Sequence, residues 1–246
     1  MKITIRRRLL GQVPLLELVQ EDRKNDCLPL VVYYHGWQSR KELNLTAGRR
    51  LAKAGYRALL PDAENHGERY RKYSKIPSMT FWQSIQANLF EFGFIVDHFQ
   101  QLGLADDRLA VAGVSMGGIT TCALLCQHPE IQAAACLMGS PMPVHYAQGI
   151  ARHAREAGRY FPKDAKTLLG WLEDYDLSIQ ANQLGNRPLF IWHGRQDDRI
   201  PFQEAATFVQ ANPQLKLHFQ AEDEGHLVRV ETIKSMVNFF TDHFPL

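Results

Sequence analysis

At 246 residues the chain is long enough to bury a sizeable core, and α/β architectures often use this length as one unit. Lys and Arg number 28 against 26 Asp and Glu, and a formal charge of +2 is too small a surplus to point to nucleic acid or an anionic membrane. The apolar share of 45% is ordinary for a soluble globular protein, and no apolar run approaches the ~18 residues a membrane span requires.

Taken in chain order, strand-like and helix-like segments alternate, which predicts βαβ units and a mostly parallel sheet. Residues 2–9 and 13–19 read as two strands joined at Gly11-Gln12, an antiparallel hairpin at the sheet edge. The run Arg6-Arg7-Arg8 falls inside this alternation and reads as a solvated strand face. Gly11, Pro14 and Glu17 interrupt any apolar leader, so no signal peptide is expected. Leu30 to Tyr34 is a buried strand running into His35-Gly36-Trp37. Residues 42–54 have helical spacing and stop at Gly55, and Tyr56 to Leu60 is a strand closed by Pro61.

A polar loop from Asp62 to Pro77 follows, holding Asn65-His66-Gly67. A long helix is predicted from Ser78 to Leu102, capped by Ser78 or Thr80 and ended by Gly103. Leu109 to Val114 is a strand, Met116 to Gln127 a helix and Ile131 to Met138 a strand. Residues 141–182 then break the rhythm with helical spacing and aromatics, and read as a helical insertion capping the site. The alternation resumes with a strand at Leu189 to Trp192, a helix at Phe202 to Ala211, a strand at Leu215 to Gln220 and a closing helix near 228–243. Cys27, Cys122, Cys126 and Cys136 form no CxxC pair, which fits a reduced, cytoplasmic protein.

The sharpest motif is Gly113-Val114-Ser115-Met116-Gly117, a G-x-S-x-G between a strand and a helix. A serine there is lifted onto a tight turn with its hydroxyl exposed above the sheet. The residues two before and two after must be small, because neighbouring backbone comes close. The helix behind it supplies a free N–H, that of Met116. A dinucleotide-binding turn would need glycine at position 115, and the Gly-Lys-Ser or Gly-Lys-Thr of a P-loop is absent.

In such a fold the partners follow in the order serine, acid, histidine. Asp197 and Asp198 both lie in the loop after the strand ending at Trp192, where a catalytic acid belongs. The pattern H-G-x-x-D-x-x-x-P from His193 to Pro201 selects Asp197. His35, His66 and His193 precede the acid and read as structural histidines bonded to backbone. His218 lies within a strand and His243 at a helix end, which leaves His226 as base. His226 would take the Ser115 proton and Asp197 would hold the imidazole's tautomer. The oxyanion needs two donors, assigned to the Met116 and Trp37 N–H groups, with Gly36 letting the backbone approach.

These motifs resemble the α/β-hydrolase superfamily, in particular the small bacterial carboxylesterases grouped with prolyl-oligopeptidase-like and dienelactone-hydrolase-like proteins. The likeness rests on His35-Gly36-Trp37, Pro61-Asp62 with Asn65-His66-Gly67, the Gly113–Gly117 motif, His193-Gly194 with Asp197 and Pro201, and Gly225-His226, in the expected order. It implies an eight-stranded, mostly parallel sheet flanked by helices as a single α/β-hydrolase domain over residues 1–246. It further implies a helical cap after the sixth strand and hydrolysis of short acyl esters without a cofactor. Nothing resembles the propeller of true prolyl oligopeptidases, and position 115 is Ser where dienelactone hydrolases use Cys.

Trp37, Met142 and Trp171 are assigned to the substrate, a small-molecule acyl ester. Tyr146, Tyr160 and Phe161 are further aromatics of the cap, while Phe81 and Trp82 read as core. Arg152, Arg155 and Arg159 share a helix face by spacing; were they at the mouth, a thioesterase would be an alternative, as would an amidase with the same triad. A non-catalytic binding protein is disfavoured because all three triad residue types are present. No metal site is expected, since Asp62, Glu64 and His66 lie on a loop without a helical H-E-x-x-H. No nucleic-acid or membrane partner is expected, and the oligomeric state is left open.

Overall fold

The computed structural model describes residues 1–71 and 76–246, so residues 72–75 of the predicted polar loop lie outside the described residues. Eight strands form one sheet: β1 (Ile3–Leu10), β2 (Val13–Gln20), β3 (Leu28–Tyr34), β4 (Arg57–Pro61), β5 (Ala105–Val114), β6 (Ile131–Leu137), β7 (Leu189–Gly194) and β8 (Leu217–Glu222). Their order is β1-β2-β4-β3-β5-β6-β7-β8. Only the β1–β2 and β2–β4 pairings are antiparallel, and every other neighbour is parallel.

Helices cover both faces, which explains why β3, β6 and the Leu109–Val114 part of β5 are almost unbroken apolar runs rather than alternating ones. Along β3, Leu30, Val32 and Tyr34 pack towards α2 (Pro77–Gln101) and α3 (Met116–Gln127). Val31 and Tyr33 face the other way, towards α1 (Leu45–Ala54) and α8 (Val230–His243). Four helical pieces lie between β6 and β7: α4 (Pro143–Glu156), α5 (Ala165–Leu168), a 3-10 turn at Gly170–Tyr175 and α6 (Ala181–Leu184). α7 (Phe202–Ala211) joins β7 to β8.

Several boundaries differ from the sequence reading, for physical reasons. β5 starts at Ala105, within a stretch of three charged residues, because Ala105 pairs with Leu28 and Arg108 folds back onto Asp106. α2 has no side-chain cap at Ser78 or Thr80; Pro77 opens it, its fixed φ suiting a first turn that lacks an N–H partner. The arginine run is not simply solvated. Arg6 and Arg8 are half-buried over Glu17, which has no exposed side-chain surface and also binds the buried Arg57, while Arg7 bonds Glu68 at 2.7 Å. A carboxylate removed from water in this way is tolerable only when paired and hydrogen-bonded.

Candidate active site

Ser115 sits where β5 turns into α3, at φ +57° and ψ −115°. A non-glycine residue in that region carries strain of order 1–3 kcal/mol and needs an over-determined surrounding. The surrounding supplies it. The Ser115 N–H donates to the Leu137 carbonyl at 2.8 Å, and its carbonyl accepts the Ile119 N–H at 3.0 Å. A Cβ at Gly113 would lie 2.2 Å from the Gly117 oxygen, and one at Gly117 would lie 2.1 Å from the Tyr34 oxygen. Both glycines are therefore required by close backbone approach.

His226 lies on the loop between β8 and α8 and reaches both partners. The Ser115 hydroxyl donates to its Nε2 at 2.9 Å, and its Nδ1–H donates to Asp197 Oδ2 at 2.7 Å. The Asp197 side chain is fully buried in the loop after β7. Its Oδ1 accepts the backbone N–H groups of Arg199 at 2.9 Å and Ile200 at 3.0 Å. Burial alone would raise the Asp197 pKa. Hydrogen bonds from His193, His226 and these two N–H groups outweigh that, and hold the carboxyl well below the usual carboxylate range. Asp198 is exposed and makes no bond to His226 among the described residues.

His193 is bonded to backbone as its sequence reading expects, and it also reaches Asp197. Its Nε2–H donates to the Ile200 carbonyl at 2.9 Å and also lies 3.3 Å from Asp197 Oδ2. The four-residue spacing from His193 to Asp197 was the available signal. The other two early histidines are held by backbone. His35 donates from Nδ1 to the Gly36 carbonyl at 2.8 Å and accepts the Ala63 N–H at Nε2, with burial pushing its pKa down to about 4. His66 bonds the Glu64 carbonyl at 2.8 Å, and burial lowers its pKa too.

Met116 is the first residue of α3, so its N–H has no acceptor within the helix. Gly36 packs against Ser115: a Cβ there would sit 3.4 Å from Ser115 Cβ. Trp37 follows it and lines the cavity over Ser115 and His226, its ring edge-on to His66 at 4.8 Å and to Phe81 at 5.5 Å. That cavity measures about 480 Å³, within the range of small-molecule sites. Its other walls include Phe81, Met138, Tyr146, Ile150 and Ile200, with Arg199 as a charged group at the rim.

Met142 and Trp171, assigned to the substrate from the sequence, do not line this cavity. Met142 precedes α4 and donates its N–H to Ser140 Oγ at 2.9 Å, and Trp171 packs against Tyr175 and the core. Phe81 is buried in the core as its sequence reading expects and also lines the cavity, as does Ile150, which was not singled out. Periodicity marks both as apolar but carries no information about which cavity they meet. Among the described residues no group of three or more His, Cys, Asp or Glu side chains could hold a metal ion. Asp62 is bound by Lys41 at 2.5 Å, and Glu64 by Arg69. No described helix is long and apolar enough to cross a membrane.

A family model described as the prolyl oligopeptidase family matches residues 83–245. YitV of Bacillus subtilis (strain 168) is 35% identical over 228 residues, covering 90% of this chain and 88% of that protein. Esterase YjfP of Escherichia coli (strain K12) is 30% identical over 247 residues, covering 98% of this chain and 99% of that one. Among solved structures, TT1662 from Thermus thermophilus superposes with a TM-score of 0.80 at 21% identity over the whole of both chains, a likeness of fold.

Proposed function

We propose that this chain, which belongs to the prolyl oligopeptidase family of α/β-hydrolases, is a carboxylesterase cleaving short acyl esters through Ser115, His226 and Asp197. The observation that carries the reading is one imidazole bridging Ser115 Oγ at 2.9 Å and the buried Asp197 carboxylate at 2.7 Å. A serine hydroxyl is a weak nucleophile at neutral pH. Here the Nε2 lone pair of His226 faces the hydroxyl because Asp197 engages Nδ1–H, so the proton has somewhere to go as Oγ attacks the acyl carbon. The imidazolium that forms is stabilised by a carboxylate whose own affinity for protons is depressed. His226 then returns the proton to the departing alcohol, and water repeats the sequence on the acyl-enzyme.

The tetrahedral oxyanion would be met by the N–H of Met116, at the positive end of α3, and by that of Trp37. Loss of one such donor costs ~10²–10³ in rate. The apolar walls of Trp37, Phe81 and Ile150 favour a hydrocarbon acyl group.

The test is labelling with a fluorophosphonate probe and peptide mapping, beside p-nitrophenyl esters from acetate to laurate. The expected result is a single adduct on Ser115, fastest turnover of short esters, and loss of both in Ser115→Ala, with kcat down by roughly 10⁶-fold and Tm nearly unchanged. An adduct on any other serine would reject the assignment.

A further inference from the structure

Beside the Ser115 cavity lies a second, larger one of about 830 Å³, and the two share Ser78, Tyr146, Ile150 and Arg199 as walls. Their chemistry differs. The first is mainly apolar and aromatic; the second gathers Arg152 from α4, Arg159 from the turn behind it and Arg199 from the Asp197 loop, with His145 and His153 beside them. Two acids face the same space. Asp198 is exposed; Glu204 is buried, bonded to His145 at 2.8 Å, and burial pushes its pKa up.

Elsewhere this protein pairs many of its arginines. Glu17 takes Arg6, Arg8 and Arg57; Arg69 lies on Glu64 and Glu91; Arg229 lies on Glu224. Among the described residues the guanidinium groups of Arg152, Arg159 and Arg199 make no ion pair or hydrogen bond. Attraction to the negative end of α4 does not account for this gathering, since Arg159 lies beyond the helix and Arg199 comes from another loop. The three arginines of the cap do not act as the single face their spacing suggests. Arg155 turns to a separate groove with Phe161 and Lys166, and Arg152 and Arg159 turn to the cavity that adjoins the one over Ser115.

Guanidinium groups that line one cavity without carboxylate partners are suited to bind carboxylate or phosphate oxygens. We propose that the ester hydrolysed at Ser115 carries such an anionic group, lying in the second cavity against Arg152, Arg159 and Arg199. The inference rests on the esterase reading above and names its substrate class. The chemical step is unaltered: the acyl–oxygen bond breaks, the alcohol leaves with the proton from His226, and the anionic group stays intact.

The test compares kcat/KM at low and high ionic strength for two matched pairs. p-Nitrophenyl hydrogen glutarate against p-nitrophenyl pentanoate puts the charge on the acyl side; 1-acetylglycerol 3-phosphate against 1-acetylglycerol puts it on the alcohol side. The charged member of at least one pair is expected to be preferred by about tenfold, a preference that shrinks with salt and falls towards parity in the R152Q/R159Q double variant. Arg199→Gln gives an independent reading of the same ratio. Whichever pair responds identifies the side of the ester that occupies the cavity. Equal rates within both pairs, or a preference undiminished in all these variants, overturn the proposal and leave the esterase reading standing. No turnover of any of the four esters, with no adduct on Ser115, overturns both.

Discussion

Replacing Asp197 by Asn tests the acid assignment through hydrogen-bond bookkeeping at two oxygens. Oδ1 accepts two backbone N–H groups, from Arg199 and Ile200, and backbone cannot rotate to become an acceptor. The asparagine oxygen must therefore take the Oδ1 position, leaving its NH₂ at the Oδ2 position, 2.7 Å from His226 Nδ1. His226 then has to accept at Nδ1, which moves its proton to Nε2, facing Ser115 Oγ as a donor instead of an acceptor. A base in the wrong tautomer loses ~10⁴ in kcat, about 5 kcal/mol of transition-state stabilisation. The assay is kcat/KM on p-nitrophenyl acetate, with a melting curve to exclude misfolding. Asp198→Asn, at an exposed carboxylate, is expected to change the same rate by no more than about twofold. A large loss in the Asp198 variant, or activity within tenfold of wild type in Asp197→Asn, would refute the reasoning.

His35 links stability to pH. Its folded pKa of about 4 lies below the unfolded value near 6.5, so its contribution is complete above pH 6.5 and is lost as pH falls through that window. The interval is worth roughly 3 kcal/mol, and His35→Asn should lose that much less unfolding free energy between pH 7 and pH 4 in denaturant titrations. An unchanged slope would reject the assignment. Two glycines should respond in opposite directions to alanine. Gly117→Ala drives a Cβ to 2.1 Å from the Tyr34 oxygen, and is expected to cost about 3 kcal/mol or more, a Tm drop of roughly 6–12 °C. Gly93→Ala, inside α2 with nothing within 4 Å of the new Cβ, should stabilise by about 0.5–1 kcal/mol.

The juxtaposition of Ser115 and His226 was readable from the sequence because the roles proposed for them would impose local stereochemistry. A serine on a strained turn demands glycine two residues to either side, and a base after the last strand must sit between identifiable elements. Asp197 needed a longer pattern to separate it from its neighbour; in the structure it is the Asp197 side chain that accepts the Arg199 and Ile200 N–H groups. The cavity walls were not readable. Phe81 comes from α2 and Ile150 from α4, two elements far apart in the chain whose meeting is a property of packing. The same limit applied to Arg6 and Arg8, whose burial depends on Glu17, opposite Arg6 in β2, and on Arg57 arriving from β4.

The stretch from α4 to α6 is one uninterrupted run between β6 and β7, whereas Ser115, Asp197 and His226 follow β5, β7 and β8. Under the proposed roles, the cap wall of the pocket and the bond-breaking residues are thus encoded in separate lengths of gene. A recombination event with its crossovers at the ends of β6 and β7 would exchange Tyr146, Ile150, Arg152 and Arg159 together and leave the triad in place. Under the proposed roles such an exchange would replace one wall of the pocket as a unit, while Trp37, Phe81 and Arg199 stayed with the residues that break the bond.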